Sequence, residues 1–178
     1  MTAGVWALDA SVFINFVVIG HLPMLAKFRK PMAVPEYVYR TELTGPRAHP
    51  ATRTAASQSK NKGHFKLATL TLTDLANLGA LDRPRRVGLG EASCAIIAAK
   101  NSGGVLCDDM RSKAWLQHHF QVAAWERTEE ILVGAAHAEH LDEYALAECQ
   151  KRLETNKYKC VCDLRIEFLQ QRLARHVP

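Results

Sequence analysis

The chain has 178 residues and 19.8 kDa, with 48% hydrophobic residues, 23% charged residues and a formal net charge of +5. A chain of this length buries roughly two-thirds of the surface its unfolded form exposes, enough for one independent core, and the composition excludes wholesale disorder. The longest apolar run, Val12 to Gly20, is broken by Asn15 and is far shorter than the ~18–20 residues of a membrane span. No basic cluster precedes it as a signal peptide requires, so a cytoplasmic protein with no membrane partner is expected. The pI near 9.0 leans toward polyanionic partners.

Taken in chain order, Val5 to Leu8 predicts a buried strand that ends at Asp9 and runs into a helix through an Asp/Ser cap. Pro31 to Val34 predicts a second strand, and Glu36 to Leu43 a helix closed by Thr44-Gly45-Pro46. Thr44 to Thr73 contains no acid, and Arg47, Arg53, Lys60, Lys62 and Lys66 are all basic; the stretch reads as a loop-like basic insertion around 44–66, with a strand at Leu67 to Leu72. Thr73 to Leu78 predicts a short helix capped by Thr73 and stopped by Gly79. Arg83, Arg85 and Arg86 form a second basic cluster. Gly88-Leu89-Gly90 then opens a helix of small residues, Glu91 to Lys100, stopped by Gly103-Gly104. Val105 to Cys107 predicts a buried strand ending in Asp108-Asp109, followed by a helix to about His118 and a short strand at Gln121 to Ala124. Helices follow at Glu126 to Ala138, Leu141 to Glu154 and Asp163 to Arg175, with Tyr144, Leu146, Leu153, Leu164, Phe168 and Leu173 as inner-face positions.

Strands alternating with helices predict an α/β fold with a mainly parallel central sheet and a C-terminal helical extension. The division expected is 1–124 for the sheet domain and 125–178 for the extension packed on it, whose apolar stripe from Leu141 to Leu173 suits a homodimer surface. Five cysteines, Cys94, Cys107, Cys149, Cys160 and Cys162, form no paired framework and read as reduced thiols. Cys160-Val161-Cys162 lacks the second well-spaced pair that a zinc site needs.

Parallel sheets place functional groups at the carboxyl ends of their strands. Asp9 and Asp108-Asp109 end two predicted strands, and Glu42 and Glu91 sit on helices that follow strand or loop elements. Singly, each acid has a plain use: Asp9 and Asp108 or Asp109 as helix caps, Glu91 as a helix N-terminal charge, Glu42 as a surface residue. Together, carboxylates repel one another unless a cation holds them, and hard cations such as Mg2+ or Mn2+ take carboxylate oxygens.

Four blocks carry a family resemblance. Leu8-Asp9-Ala10-Ser11-Val12-Phe13-Ile14-Asn15 resembles the opening of PIN-domain nucleases, and Val34 to Leu43 resembles their second block, closing on Glu42. Leu89-Gly90-Glu91-Ala92-Ser93 resembles the third block, and Val105-Leu106-Cys107-Asp108-Asp109-Met110-Arg111 the fourth. The resemblance spans about Val5 to Ala124. It implies a PIN-like three-layer fold and a metal-dependent ribonuclease using Mg2+ or Mn2+, in a family that includes the toxins of toxin–antitoxin pairs, with a small antitoxin as partner. It carries Asp9, Glu42, Glu91, Asp108 and Asp109 over as site acids, and Ser11 as a secondary ligand or water-positioning hydroxyl. This chain departs from the family pattern in its longer basic insertion, in Glu where many members have Asp at position 91, and in its longer helical tail.

The expected function is an endoribonuclease in which Asp9, Glu91 and Asp109 hold the ion while Glu42 and Asp108 complete its surroundings. Arg47, Arg53, Lys60, Lys62, Arg85, Arg86 and Arg111, with Arg83 and Lys113, supply phosphate contacts to RNA. The competing expectation is a non-catalytic PIN-like module that binds RNA or a protein. A phosphotransferase using Asp9 as nucleophile lacks the second Asp two positions on, where Ser11 stands. A dinucleotide enzyme lacks G-x-G-x-x-G after the first strand.

Overall fold

The computed structural model describes residues 4–175. At its centre lie five short parallel strands, β1 (Trp6–Leu8), β2 (Met32–Pro35), β3 (Lys66–Ala68), β4 (Gly104–Leu106) and β5 (Ala124–Glu126), in the spatial order β3-β2-β1-β4-β5. Ala7 is in register with Ala33 and Val105, Val34 with Leu67, and Val105 with Trp125. Strands covered on both faces read as continuous apolar runs, and every residue of β2 and β4 is buried.

The helices that flank the sheet are α1 (Ala10–Ile19), α2 (Leu22–Phe28), α3 (Glu36–Val38), α4 (Pro50–Asn61), α5 (Leu72–Ala80), α6 (Leu89–Lys100), α7 (Met110–Phe120), α8 (Thr128–His137), α9 (Glu143–Thr155) and α10 (Leu164–Ala174). α6 lies across β1, β2 and β4 and is buried nearly all round, which its run of Gly, Ala, Ser and Cys permits. α1 leads the other helical layer, packing with α2, α4, α8 and α9. Phe13, Phe16 and Ile19 of α1 meet Leu146 and Leu153 of α9 in a continuous core. Residues after Ala124 join this body directly: Glu126 pairs with Arg29 at 2.7 Å, and Arg152 of α9 donates to the Ile19 carbonyl. Among the described residues no helix is long and apolar enough to cross a membrane.

Several element boundaries differ from the sequence reading, each for a local reason. The basic insertion is not a loop: α4 fills its middle, with Pro50 in the first turn and His49 accepting from the Ala51 N–H. Its buried face is Thr52, Ala56 and Ser59, spaced at helical intervals but too small and polar to register as an apolar stripe. The strand expected at Leu67 to Leu72 stops at Ala68, because its partner β2 ends at Pro35, opposite Ala68. α5 begins at Leu72, where the Thr71 hydroxyl accepts from the Asp74 N–H and Asp74 caps back onto Thr71. Gly79 lies inside α5 instead of ending it. The last strand is Ala124–Glu126, shifted from Gln121 to Ala124, since Gln121 takes a left-handed conformation (φ 51°) to end α7. The helix expected at Glu36 to Leu43 is α-helical for only three residues and then widens into a π-helical turn, Tyr39–Leu43. In the tail, Leu146, Leu153, Leu164 and Phe168 are buried as expected, but Tyr144 and Leu173 are 83% and 69% exposed.

Candidate active site

Asp9 sits where β1 passes into α1. Its N–H extends the ladder to the Leu106 carbonyl (3.0 Å), so the residue is fixed between the two central strands. One carboxylate oxygen, Oδ2, accepts from the Ser11 N–H (3.1 Å) and the Ser11 hydroxyl (2.6 Å), with the Cys107 thiol 3.6 Å away. This is a helix cap, and it consumes only half of the carboxylate. The other oxygen, Oδ1, faces Gly90. A methyl group built on Gly90 would stand 3.4 Å from Asp9 Oδ1 and 2.6 Å from Glu42 Oε1. Glycine is therefore what allows α6 to pass between two carboxylates that converge from β1 and the π-helical turn.

The π-helical turn places Glu42. The Thr44 N–H and hydroxyl both bond the Tyr39 carbonyl, at 2.8 and 2.7 Å, and so hold the widened loop closed. Gly45 permits the close return, since a β-carbon there would lie 2.3 Å from the Thr41 carbonyl oxygen. Single π-helical turns recur at functional sites because they re-aim one side chain. Much of Glu42 is open to solvent, but its carboxyl end lies against α6. Burial first, then the charges of Asp9 and Glu91, push its pKa up to about 7. The charges acting on it are all of its own sign.

Glu91, in the first turn of α6, folds back over the helix mouth toward Gly88 and accepts from its own N–H. Burial, then Asp9 and Asp109, raise its pKa, offset in part by that N–H. Asp109 caps α7 through the Arg111 N–H (2.8 Å) and is gripped by the Arg111 guanidinium, with Nη2 2.6 Å from Oδ2 and Nε 3.0 Å from Oδ1. That pairing holds the Asp109 carboxyl below the usual aspartate range. Asp9, Glu42, Glu91 and Asp109 thus line one acidic basin at the carboxyl edge of β1, β2 and β4. Among the described residues, no three acidic, histidine or cysteine side chains stand close enough to grip one ion as they lie. The reason is visible: Glu91 is turned to its own backbone and Asp109 to Arg111. The donor chemistry nonetheless suits a hard cation, since all four groups offer carboxylate oxygens and the charges shifting Glu42 are those of Asp9 and Glu91.

Asp108 is turned away from the basin. Its Oδ1 accepts from the Thr128 N–H (2.8 Å) and the Tyr158 hydroxyl (3.0 Å). Its Oδ2 accepts from the Thr128 hydroxyl (2.8 Å) and Asn15 Nδ2 (2.9 Å). Ser11 is similarly committed: its oxygen accepts from the Asp108 N–H (3.1 Å) while its hydroxyl donates to Asp9. Cys94 and Cys107 lie buried beneath the acids; burial, then the Asp9 charge, pushes both thiols up, so they pack as neutral groups. All five cysteines are free.

Of the basic residues singled out from the sequence, Arg47, Arg53, Lys60, Lys62, Arg85 and Arg86 are exposed. Arg53 and Lys60, seven positions apart, share one face of α4, and Lys60 Nζ lies 5.4 Å above the Tyr39 ring at the start of the turn that bears Glu42. Arg83 is taken up by the Val87 carbonyl and Arg111 by Asp109. The sequence reading missed Asn15, Thr128 and Tyr158. Asn15 had a signal, as the polar residue that interrupts the longest apolar run. The other two lie 20 and 50 residues along the chain from Asp108, the acid they bond, and had none.

A family model described as a PIN domain matches residues 5–151, more than half of the chain. No curated protein and no solved structure matches it.

Proposed function

The chain belongs to the PIN-domain family, and from that premise we propose that it is a metal-dependent endoribonuclease, hydrolysing RNA phosphodiester bonds at the acidic basin around Gly90. PIN domains are nucleases as a class and typically use divalent ions. One observation carries the finer reading: Asp9 Oδ1 and Glu42 Oε1 converge on Gly90, while the charges acting on Glu42 are those of other acids. In this reading Asp9, Glu42, Glu91 and Asp109 hold Mg2+ or Mn2+, and Asp108 serves the fold. A bound ion of this kind neutralises charge on the phosphodiester and makes water a stronger nucleophile. Ser11 keeps Asp9 Oδ2 occupied, so Oδ1 is the oxygen presented to the basin. Arg53 and Lys60 line an approach to Glu42, and with Arg47, Lys62, Arg85 and Arg86 they attract the RNA backbone without reading its sequence. Partners consistent with this reading are a small antitoxin over the basin and a second copy of the chain against the exposed Ile166, Leu169 and Leu173 of α10.

Purified protein incubated with a labelled mixed RNA pool and Mg2+ or Mn2+, beside EDTA and Asp9→Asn controls, tests the proposal. Metal-dependent cutting lost in both controls supports it. Cutting that survives Asp9→Asn sinks the assignment of the site. The arrest of Asp109 by Arg111 favours one second reading, a non-catalytic RNA-binding module; RNA that is bound but never cut, with or without metal, would select it.

A further inference from the structure

Tyr158 lies beyond residue 151, where the family match ends, yet its hydroxyl bonds Asp108, the neighbour of the basin acid Asp109. The chain leaves α9, turns through Lys157 in a left-handed conformation (φ 67°), and ties the Tyr158 N–H to the carbonyl of the fully buried Leu153 (3.0 Å). The ring is thereby held with its hydroxyl toward β4. That hydroxyl accepts from Arg127 Nη2 (3.4 Å) and donates to Asp108 Oδ1 (3.0 Å).

From Asp108 the path continues inward. Its N–H donates to Ser11 Oγ (3.1 Å), and the Ser11 hydroxyl donates to Asp9 Oδ2 (2.6 Å). The directions follow from the partners. The Tyr158 hydroxyl donates to Asp108, and Ser11, having accepted the Asp108 amide, gives its single proton to Asp9 Oδ2 at 2.6 Å, much nearer than Cys107 Sγ at 3.9 Å. Thr128, fully buried, and Asn15 fill the remaining sites on Asp108, so its carboxylate has no freedom to rotate. The result is an Asp9 with one oxygen spent and the other aimed past Gly90 at Glu42.

We infer that Tyr158 and Asp108 are positioning residues of the acidic basin, setting the Asp9 carboxylate through Ser11, so that the segment after residue 151 completes the site instead of merely decorating the fold. The inference rests on the reading of the basin as a metal site. Groups that orient metal ligands from outside typically govern affinity by 10–100-fold when lost. Ser11→Ala should weaken Mn2+ binding within that range, about 10–100-fold, and Tyr158→Phe, further out on the path, by roughly three- to tenfold.

The test titrates Mn2+ into the full chain, following free Mn2+ by electron paramagnetic resonance, for the wild type, Asp9→Asn, Ser11→Ala, Tyr158→Phe and the Ser11→Ala/Tyr158→Phe pair. Melting in EDTA is recorded for each. The expected result is a weaker Mn2+ isotherm for Tyr158→Phe that vanishes as an extra effect once Ser11 is already Ala, because the path is cut. A lower melting temperature with an unchanged isotherm would reduce Tyr158 to a structural role and overturn the inference. Independent, additive losses in the pair would overturn it too. Should Tyr158→Phe fail to fold, Thr128→Val removes a hydroxyl from the same carboxylate and must show the same loss of affinity; wild-type affinity there overturns the inference. A wild type that binds no Mn2+, or an Asp9→Asn that binds it normally, instead refutes the metal reading itself.

Discussion

Asp108 and Asp109 are neighbours in the chain with opposite surroundings, and they head two regions that differ in the same way. Around Asp108, donors from α1, α8 and the segment after α9 saturate one carboxylate with four hydrogen bonds. Around Gly90, acids from the end of β1, the π-helical turn and the mouth of α6 face one another, and the charges felt by Glu42 are those of Asp9 and Glu91. The first region spends its negative charge on the fold. The second folds in spite of its charge. Acid count and chain position do not separate the two regions; the supply of donors does.

Removing each acid should break this contrast in opposite directions. Asp108→Ala strands the donors of Thr128, Tyr158 and Asn15 without their acceptor, and buried donors left unpaired are costly. A loss of about 2–4 kcal/mol is expected, which in a domain of this size lowers Tm by roughly 5–15 °C in a metal-free melt. Glu42→Gln removes a like charge while keeping the shape, and should raise the metal-free Tm at pH 8. A stabilised Asp108→Ala, or a destabilised Glu42→Gln at pH 8, would show the two regions to be alike.

The pH dependence sharpens the same point. Glu42 titrates near 4.5 in an unfolded chain and is raised to about 7 in the folded one. The folded protein therefore holds a proton that the unfolded chain releases. Stability tied to protonated Glu42 is full below pH 4.5 and is lost as pH rises through about 7. Metal-free melts of the wild type should fall across that interval, damped because Glu42 is partly open to solvent, and Glu42→Gln should flatten the fall. An ion must displace the same proton, so Mn2+ affinity should climb over the same range.

How much of this was legible from the sequence follows from the range of the forces involved. Strand-end acids and small-residue patterns are local, so β1, β2, β4, α6 and the positions of Asp9, Glu91 and Asp109 could be read directly. α4 was not, because its buried face is made of Thr52, Ala56 and Ser59, which carry no apolar signature. The π-helical turn was not either, since the Thr44 hydroxyl and Gly45 that shape it look like an ordinary helix end. Asp108 looked like Asp109's equal because what distinguishes them, Thr128 and Tyr158, lies 20 and 50 residues away.

Arg111 offers a finer cut, since it pairs with one basin acid, Asp109, and acts on Glu91 only through its charge. Its guanidinium grips Asp109 with Nη2 2.6 Å from Oδ2, and it also lowers the pKa of Glu91. Arg111→Ala should therefore tighten Mn2+ binding while weakening RNA binding, each by roughly two- to fivefold, the scale of an exposed ion pair. Titrations with Mn2+ alone and with RNA in EDTA read the two arms separately. A variant that weakens both would mean that Arg111 holds Asp109 in place for the ion instead of competing with it.

The smallest expected effect concerns the basic face of α4, where the contrast between regions becomes one of sign. Arg53 and Lys60 stand on the same side of that helix, and Lys60 leans over Tyr39, which opens the turn carrying Glu42. If RNA follows this face to the acids, each side chain neutralises one phosphate. Removing either should then reduce the slope of log K against log salt by roughly 0.7, the value for a single-stranded chain. RNA binding measured over a salt series for Arg53→Ala, Lys60→Ala and the pair reads this directly, with Lys151→Ala on α9 as the comparison. Equal slopes for all four would place the RNA elsewhere. A change confined to the α4 variants would draw its path from the cationic face to the acidic basin, two regions whose opposite charges serve one polyanion.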